Sequence, residues 1–286
     1  MTTPEIIITV LLSLLGAALI ILTIWLFLAS SRRPSKKTEL IKHTRFAHRG
    51  LHGDGAPENS MTAFRRAIDA GYGIEIDIRL ANDGVLVVHH DPTLLRVCGL
   101  DKKVIDVSSR ELGSVKLGDS NDTVPTFREL LDTVGGRVPL LIEIKSDIHE
   151  KGVSEQFVRE IDGYSGEFLV QSFNPLALRT VRRHRPDIPL GILSTEYTKS
   201  DKFRGKPLYR ALERLRFNFL IRPDFIAYDQ HGYNVRALKM LRKLYKTPTL
   251  AWTVRSQDEE DAARAHGFDN VIFEGYIPNS ASEDTI

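Results

Sequence analysis

Imidazole, guanidinium and carboxylate side chains follow short apolar runs at three places in the first third of the chain. One run leads into His48-Arg49-Gly50, and another leads into His89-His90-Asp91. Between them, residues 74–80 alternate apolar and charged residues with the period of a β-strand, so Glu75 and Asp77 project from the same face. A solvated sheet face would carry the same pair. Three strand ends that carry such groups together favour a catalytic site.

Five motifs, in order along the chain, resemble those of a known family. They are His48-Arg49-Gly50, Pro57-Glu58-Asn59-Ser60, Glu75-Ile76-Asp77, His90-Asp91 and Glu143-Ile144-Lys145. Together they resemble the signature of the glycerophosphodiester phosphodiesterases, in which threonine commonly stands where this chain has Ser60. The resemblance covers roughly residues 44–275. It implies a TIM barrel with a small insertion and metal-dependent hydrolysis of glycerophosphodiesters to an alcohol and glycerol 3-phosphate.

Three carboxylates are candidates for binding a metal. Glu75, Asp77 and Glu143 offer oxygen ligands from two strands, which suits a hard cation such as Ca²⁺ or Mg²⁺. The resemblance implies that they are the metal ligands. The alternative is a carboxylate cluster held in ion pairs by Arg49 and Lys145.

Two histidines are candidates for general acid and base. Unperturbed imidazole titrates near neutral pH, and the resemblance assigns this role to His48 and His90. His89 is the alternative to His90, but strand alternation should turn it to the opposite face. By analogy with the family, the glycerol hydroxyl attacks first to give a cyclic phosphate; direct attack by water is the competing route.

The remaining candidates would bind phosphate or support the site. Arg49 offers a forked donor set and Lys145 a point charge to a phosphate. Glu58 either orients Arg49 or completes the metal shell. Gln171 and Trp252 fall at ends of predicted strands, and Trp252 either lines the pocket for the alcohol or packs in the core.

These side chains need a fold that brings strand ends together. Apolar runs predict strands at 46–48, 74–78, 140–144, 168–171, 190–193, 225–228, 250–254 and 271–273. Helical patterns lie between them at 60–70, 126–134, 153–161, 175–183, 208–219, 235–244 and 257–265. This alternation predicts an α/β fold, a TIM (β/α)8 barrel, in which catalytic groups gather at the carboxyl ends of the strands.

Two features modify this simple barrel. Residues 86–89 predict a further strand, which Asn82-Asp83-Gly84 joins to the second strand. Because this link is too short for a parallel crossover, the two strands should form a hairpin arm. Residues 91–124 then form a small insertion after the second strand. The final strand runs into Phe273-Glu274-Gly275-Tyr276, whereas the family usually shows Thr-Asp-Tyr-Pro there, a difference that bears on the pocket for the alcohol.

The amino-terminal region predicts a membrane anchor. Residues 6–29 carry no charge, and roughly 20 apolar residues suffice to cross a bilayer as a helix. A cleaved signal is the alternative, but residues 1–5 contain no Lys or Arg. Four basic residues follow the apolar stretch, so the positive-inside rule predicts a single-pass membrane protein with a cytoplasmic catalytic domain; they are Arg32, Arg33, Lys36 and Lys37. The predicted division is anchor 1–30, basic polar linker 31–41 and barrel domain 42–286.

Composition restricts the partners. The 39 Lys and Arg residues nearly balance the 37 Asp and Glu residues, so no electrostatic footprint points to nucleic acid. The single cysteine, Cys98, cannot form an intrachain disulfide.

The basic and aromatic stretch 202–225 either packs on the barrel or contacts anionic headgroups, which would favour a lysophospholipid substrate and lysophospholipase D activity. The alternative to an enzyme is a binding protein, that is, a catalytically silent barrel that binds a lipid headgroup. The oligomeric state is not predicted.

Overall fold

Nine β-strands form one sheet in the computed structural model, which describes residues 2–146 and 152–279. The strands are β1 (Phe46–Ala47), β2 (Gly73–Leu80), β3 (Leu86–Val88), β4 (Leu140–Ile144), β5 (Phe168–Ser172), β6 (Leu190–Ser194), β7 (Phe225–Asp229), β8 (Thr249–Val254) and β9 (Asn270–Phe273). Met1 of the predicted anchor and residues 280–286 of the predicted barrel domain lie outside the described residues, as do residues 147–151.

Eight of the strands close into a parallel barrel. Strand β1 pairs with β2 on one side and with β9 on the other, with Phe46 opposite Gly73 and Ile272. Each remaining barrel strand pairs in parallel with its neighbour, in the order β2, β4, β5, β6, β7, β8 and β9. Strand β3 pairs antiparallel with β2 outside the barrel, as predicted for the hairpin arm. The predicted TIM barrel is confirmed.

Helices alternate with the strands. The helices are α1 (Thr3–Leu28), α2 (Lys36–His43), α3 (Met61–Asp69), α4 (Leu95–Cys98), α5 (Ser109–Leu112), α6 (Phe127–Val134), α7 (Val153–Glu160), α8 (Pro175–His184), α9 (Pro207–Glu213), α10 (Arg236–Met240) and α11 (Gln257–Ala265). The predicted helix 208–219 is interrupted, because Leu215 adopts a positive φ of 55°, and a 3₁₀ turn follows at Asn218–Leu220. A π-helical turn, Leu241–Tyr245, continues α10.

The small insertion has an apolar core of its own. Helices α4 and α5 lie in it, and Leu94, Val104, Leu112 and Leu117 are buried against Val87 of β3. The insertion is therefore fixed to the hairpin arm rather than loosely attached, and it can hold side chains at the edge of the barrel mouth.

Strand alternation places Glu75 and Asp77 inside the barrel. Their apolar neighbours Ile74, Ile76 and Ile78 face the surrounding helices and belong to the main core. The lower interior of the barrel is filled by apolar side chains, among them Phe46, Leu141, Leu169, Phe225 and Leu250. Both carboxylates are about 1% exposed, so the interpretation of a solvated sheet face is wrong.

The segment predicted as a linker packs on the barrel. Helix α2 begins at Lys36 within it, and Ile41 is fully buried in the same cluster as Phe46 and Phe225. Arg32 donates its backbone N–H to Pro223 O, and the Lys37 ammonium lies 3.5 Å from Asp187. The interval 31–41 is therefore part of the folded domain, and its mainly polar composition concealed this because few apolar side chains, Ile41 and the partly buried Leu40, pack on the barrel.

Helix α1 is the one described helix long and apolar enough to cross a membrane. Its side chains are almost all exposed, which for leucine and isoleucine in water would be costly. At its end the Phe27 ring lies 5.8 Å from the Phe219 ring, between centroids, and Asn218 donates to Ala29 O. The end of α1 is thus joined to the barrel just before β7.

Candidate active site

The predicted site residues meet at the carboxyl ends of the barrel strands. A cavity of about 230 Å³ opens there. It is lined by residues from strands or strand ends on every side of the barrel mouth, including His48, Glu75, His90, Glu143, Lys145 and Trp252. Its position is the one at which TIM barrels place their chemistry.

Three carboxylates lie together at this cavity, and two of them, Glu75 and Glu143, line it. Oxygens of Glu75, Asp77 and Glu143 all lie within 4.8 Å of one another, and the three side chains are buried. Strand register explains this, because Asp77 of β2 stands opposite Glu143 of β4. Three acidic groups at this spacing repel one another strongly unless a cation or a proton intervenes.

The pKa values of the three carboxylates show how far the neighbouring cations compensate their negative charges. Burial, with the neighbouring charges of Asp77 and Glu143, raises the pKa of Glu75 well above its usual range, and burial also raises the pKa of Glu143. Burial opposes ionisation of Asp77 as well, but Lys145, His90 and Arg49 together hold its pKa below the usual range. Glu75 is therefore the member whose charge the protein's own cations compensate least.

Arg49 and Lys145 provide those cations. The Lys145 ammonium lies 2.6 Å from Glu143 and 3.0 Å from Asp77, and Arg49 lies 2.9 Å from Glu58 and 3.4 Å from Asp77. These contacts match the interpretation of an ion-paired cluster. Three carboxylates facing two cations nevertheless leave an excess negative charge, so the ion pairs do not exclude a metal.

The donor set fits a hard cation. All three groups offer oxygen, which Ca²⁺ and Mg²⁺ prefer. One oxygen of Asp77, Oδ1, is buried without a hydrogen bond; the nearby Lys145 ammonium contacts it only as an ion pair. The buried acidic cluster can therefore hold a metal ion, and Glu75, Asp77 and Glu143 are the residues that would bind it.

The His-Arg-Gly turn is shaped to meet β2. Arg49 has a φ of 56°, and its backbone N–H donates to Glu75 Oε2 over 3.1 Å. Gly50 has a φ of 81°, and a Cβ there would lie 2.9 Å from the Cβ of Ala63. A side chain at Gly50 would therefore push α3 away from the turn and displace Arg49.

His48 is held by a carboxylate from the last strand. Its Nδ1 lies 2.5 Å from Glu274 Oε2, and His52 lies 3.6 Å from the same oxygen. Burial lowers the pKa of His48, while the Glu274 hydrogen bond opposes that shift. His48 is therefore neutral at pH 7, with a carboxylate placed to stabilise the imidazolium when it forms.

His90 has a matching arrangement. Its Nδ1 lies 2.6 Å from Asp91 Oδ1, and burial lowers its pKa to about 4 although Asp77 favours its charged form. His89 is buried beside it, with Nε2 3.2 Å from Thr93 O, and does not line the cavity. The cavity thus contains two neutral imidazoles, each paired with a carboxylate through Nδ1.

Glu58, Gln171 and Trp252 also lie at the site. Glu58 accepts from Arg49 and is not a member of the cluster that could bind a metal. Gln171 of β5 stands opposite Glu143, and its buried Oε1 has no hydrogen bond. The Trp252 indole lines the cavity and lies 5.4 Å from the Phe173 ring, whereas Tyr228 is fully buried and donates to Glu213 O.

Several residues of the site were not predicted. Glu274 stands at the end of a predicted strand and departs from the family pattern, but no contact with His48 is predicted; its position directly after the strand that closes onto β1 could have indicated one. Arg255 pairs with the other oxygen of Glu274. Arg96 of the insertion binds both Glu58 and Asp91, and no motif marks it.

Comparisons with known proteins agree with the fold and with the family that the motifs resemble. The family model of the glycerophosphoryl diester phosphodiesterase family matches residues 48–275. A glycerophosphodiester phosphodiesterase of Caldanaerobacter subterraneus subsp. tengcongensis is 35% identical over 51% of this chain, and one of Bacillus altitudinis is 34% identical over 53%. These matches span 65% and 66% of the two relatives, just under two thirds of their length.

A solved structure gives the same fold. A phosphodiesterase of Oleispira antarctica, determined in complex with sn-glycerol-3-phosphate, superimposes with a TM-score of 0.68 at 22% identity, covering 84% of this chain and 95% of that one. At this identity the likeness concerns the fold alone. The match of the family model over most of the chain, with the site motifs inside it, shows that the chain belongs to the glycerophosphoryl diester phosphodiesterase family.

Proposed function

We propose that this protein hydrolyses glycerophosphodiesters to an alcohol and glycerol 3-phosphate, with His48 and His90 as the acid–base pair. The observation that carries the proposal is the cavity in which two neutral, carboxylate-paired imidazoles line the same space as Glu75 and Glu143 of the three-carboxylate cluster. Phosphodiester cleavage needs this combination of proton transfer and charge neutralisation.

A divalent cation, Ca²⁺ or Mg²⁺, would be held by Glu75, Asp77 and Glu143. When bound, it would neutralise negative charge at the non-bridging phosphate oxygens as a Lewis acid. Buried carboxylates with raised pKa values, Glu75 above all, support this assignment because they lack sufficient positive charge from the protein itself.

The two histidines would move the protons. The attacking hydroxyl, from water or from the glycerol moiety, loses its proton to one imidazole, and the leaving alkoxide takes a proton from the other. Glu274 and Asp91 contact Nδ1 of His48 and His90, so both orient the rings and stabilise the imidazolium. In the sum, water adds across the bond between phosphorus and the alcohol oxygen.

Arg49 and Lys145 would bind the phosphate. Arg49 Nε is buried without a hydrogen bond, 3.4 Å from Asp77, and Arg49 Nη1 donates to Glu58. Burial opposes the charge on Lys145, but Asp77 and Glu143 outweigh it and raise its pKa. Both groups therefore stay cationic in the site, as charge neutralisation requires.

We further propose that α1 spans a membrane once, with the barrel on the cytoplasmic side. The basic residues after α1 support this orientation. Arg32 contacts Asp224 at 4.0 Å and Lys37 contacts Asp187, so two of these charges also tie the barrel to the anchor. The domain would lie close to the bilayer surface.

The test is product release by the detergent-solubilised full chain. Alcohol and glycerol 3-phosphate are measured from glycerophosphocholine, glycerophosphoethanolamine and glycerophosphoinositol, with Ca²⁺, Mg²⁺ or chelator. We expect cation-dependent turnover that His48→Ala and His90→Ala each lower by about 10²-fold or more. The exposed His184→Ala is the matched control. Absence of turnover with every cation would contradict the proposal and leave a headgroup-binding barrel.

A further inference from the structure

A second, larger cavity of about 770 Å³ adjoins the active site. Glu143 and Lys145 line both cavities, so the two meet at the carboxyl end of β4. Apart from these two residues and Arg79, the walls are mainly aromatic and aliphatic, with Phe173, Tyr197, Tyr209, Leu212, Phe217 and Leu220 as the main contributors. A cavity of this kind accommodates a long apolar group attached to whatever the active site holds.

The connection between β6 and β7 forms one wall of this cavity. Its aromatic rings contact one another, with centroids 4.1 Å apart for Phe203 and Tyr209 and 5.6 Å apart for Tyr197 and Tyr209. Ser194 Oγ donates to Leu212 O, and the carboxylate of Glu213 accepts from both the backbone and the hydroxyl of Thr198. The wall is therefore anchored to the barrel and is formed in advance of any ligand.

The same cavity lies near the end of α1. Phe217 and Leu220 line it on either side of Phe219, whose ring contacts Phe27 near the end of α1. Leu176 and Leu208, also in its lining, are more than half exposed. Four basic residues lie near Leu208 in the sequence: Lys202, Arg204, Lys206 and Arg210. Basic residues beside exposed leucines are typical of a surface that contacts anionic lipid headgroups.

We propose that this cavity receives the acyl chain of a lysophospholipid drawn from the bilayer, so that the substrate class of the site is the lysoglycerophospholipids. The inference rests on the proposed hydrolysis and specifies its substrate. With the phosphate at Arg49 and Lys145, water would attack phosphorus and the bond to the head alcohol would break. The alcohol leaves with a proton, and the products are lysophosphatidic acid and the head alcohol.

An apolar chain suits this cavity better than a cationic headgroup. A quaternary ammonium could rest against Tyr197 and Tyr209, but the part lined by Leu212, Phe217 and Leu220 would then stay unfilled. Each methylene transferred from water contributes about 0.8 kcal/mol, which corresponds to up to about fourfold in affinity. Affinity should therefore rise with chain length.

The test compares substrates that differ only in the chain. Choline release is measured from glycerophosphocholine and from hexanoyl, decanoyl and palmitoyl lysophosphatidylcholine, with the full chain in detergent. Leu212→Trp fills the cavity with an indole, and Leu220→Trp does so from a different segment. Leu244→Trp is the matched control, because Leu244 is exposed and lies outside the lining.

We expect kcat/KM to rise with chain length in the wild type. Leu212→Trp and Leu220→Trp should lower it about tenfold or more for the palmitoyl substrate and by less than about twofold for glycerophosphocholine. Melting temperatures identify a variant that fails to fold, and the second variant then decides. Turnover independent of chain length would overturn the inference while leaving the proposed hydrolysis intact. Equal losses on both substrates would also overturn it and favour a headgroup pocket.

A binding measurement separates the inference from catalysis. The His48→Ala protein is titrated with fluorescent acyl-labelled lysophosphatidylcholine, with and without Leu212→Trp. At least tenfold weaker binding in the double variant supports the chain pocket even if no substrate turns over, in which case only the proposed hydrolysis fails. Unchanged binding in both cavity-filling variants would overturn the pocket.

Discussion

Nδ1 of His48 lies 2.5 Å from Oε2 of Glu274, although 226 positions separate the two residues. The contact exists because β1 and β9 are neighbours in the closed barrel, with Ala47 opposite Phe273, so the residues that follow each strand emerge side by side. Arg255 and His52 contact the same carboxylate. Glu274 thus combines the role of a ring-orienting group with a charge that opposes the effect of burial on His48.

Glu274→Gln should lower activity and move its pH dependence. The amide can still hydrogen-bond Nδ1, but the negative charge that opposes the burial-induced fall in the pKa of His48 is lost. We expect kcat/KM to fall roughly tenfold to a hundredfold, the usual cost of losing an orienting partner, and its acidic limb to move to lower pH. Full pH profiles of both proteins measure this. An unmoved limb would contradict the assignment; Glu111→Gln, in an exposed ion pair with Lys102, is the control.

His90 should make stability depend on pH in a defined window. Burial lowers its pKa to about 4, whereas in the unfolded chain it is near 6.5. Between these values the unfolded chain binds a proton that the folded chain does not, so stability falls as the pH is lowered from about 6.5 to about 4. His90→Gln removes this contribution, and its melting temperature should fall less steeply over that range. Parallel curves for the two proteins would refute the prediction, and the exposed His184→Gln should follow the wild type.

Apolar pattern, together with the family resemblance, predicted the barrel but not all of the residues that complete its mouth. The alternation around Glu75 and Asp77 shows that they share a face; only closure of the sheet decides that this face is the interior. Glu274 acquires its role through the pairing of the first and last strands, which no local pattern encodes. Arg96 lies in an irregular insertion, where neither periodicity nor a motif indicates what its guanidinium binds.

Local sequence pattern also failed to predict two segments whose conformation depends on tertiary packing, one near the amino terminus and one after β6. Helix α2 is mostly polar, and it is attached through Ile41 and the partly buried Leu40, whose contacts require the three-dimensional packing. The break at Leu215 turns a predicted helix into two shorter pieces and gives the larger cavity part of its wall. Local propensity is a weak guide where tertiary packing decides the conformation.

Glu75→Gln should separate stability from cation binding. Because the pKa of Glu75 is raised well above its usual range by burial and by Asp77 and Glu143, a neutral amide there should leave the cation-free protein as stable as the wild type or more stable. Saturation of the wild type at about a hundred times Kd should stabilise it by about 2.7 kcal/mol, or roughly 5–10 °C in melting temperature. The variant should show little of this increase.

Melting temperatures across Ca²⁺ and Mg²⁺ titrations test this prediction without any activity assay. The control is Glu111→Gln, which should respond to the cation as the wild type does. An equal cation-induced increase in Glu75→Gln and the wild type would show that the cation binds elsewhere. A large loss of stability in the cation-free variant would instead indicate that Glu75 is needed as a charged partner for the Arg49 turn.

Arg96→Ala should reduce activity more than stability. Its guanidinium lies 2.7 Å from Glu58 and 2.6 Å from Asp91, and these carboxylates in turn hold Arg49 and His90. Because Arg96 is about half exposed, the ion pairs themselves add at most about 1 kcal/mol to folding. Without Arg96 both carboxylates gain freedom, so we expect kcat/KM to fall roughly tenfold or more, with a change in melting temperature of only a few degrees. Lys102→Ala, which removes another exposed ion pair of the insertion, should leave kcat/KM unchanged. If Arg96→Ala retains full activity, Arg96 does not position the site, and Asp91 and Glu58 must be held by their other contacts.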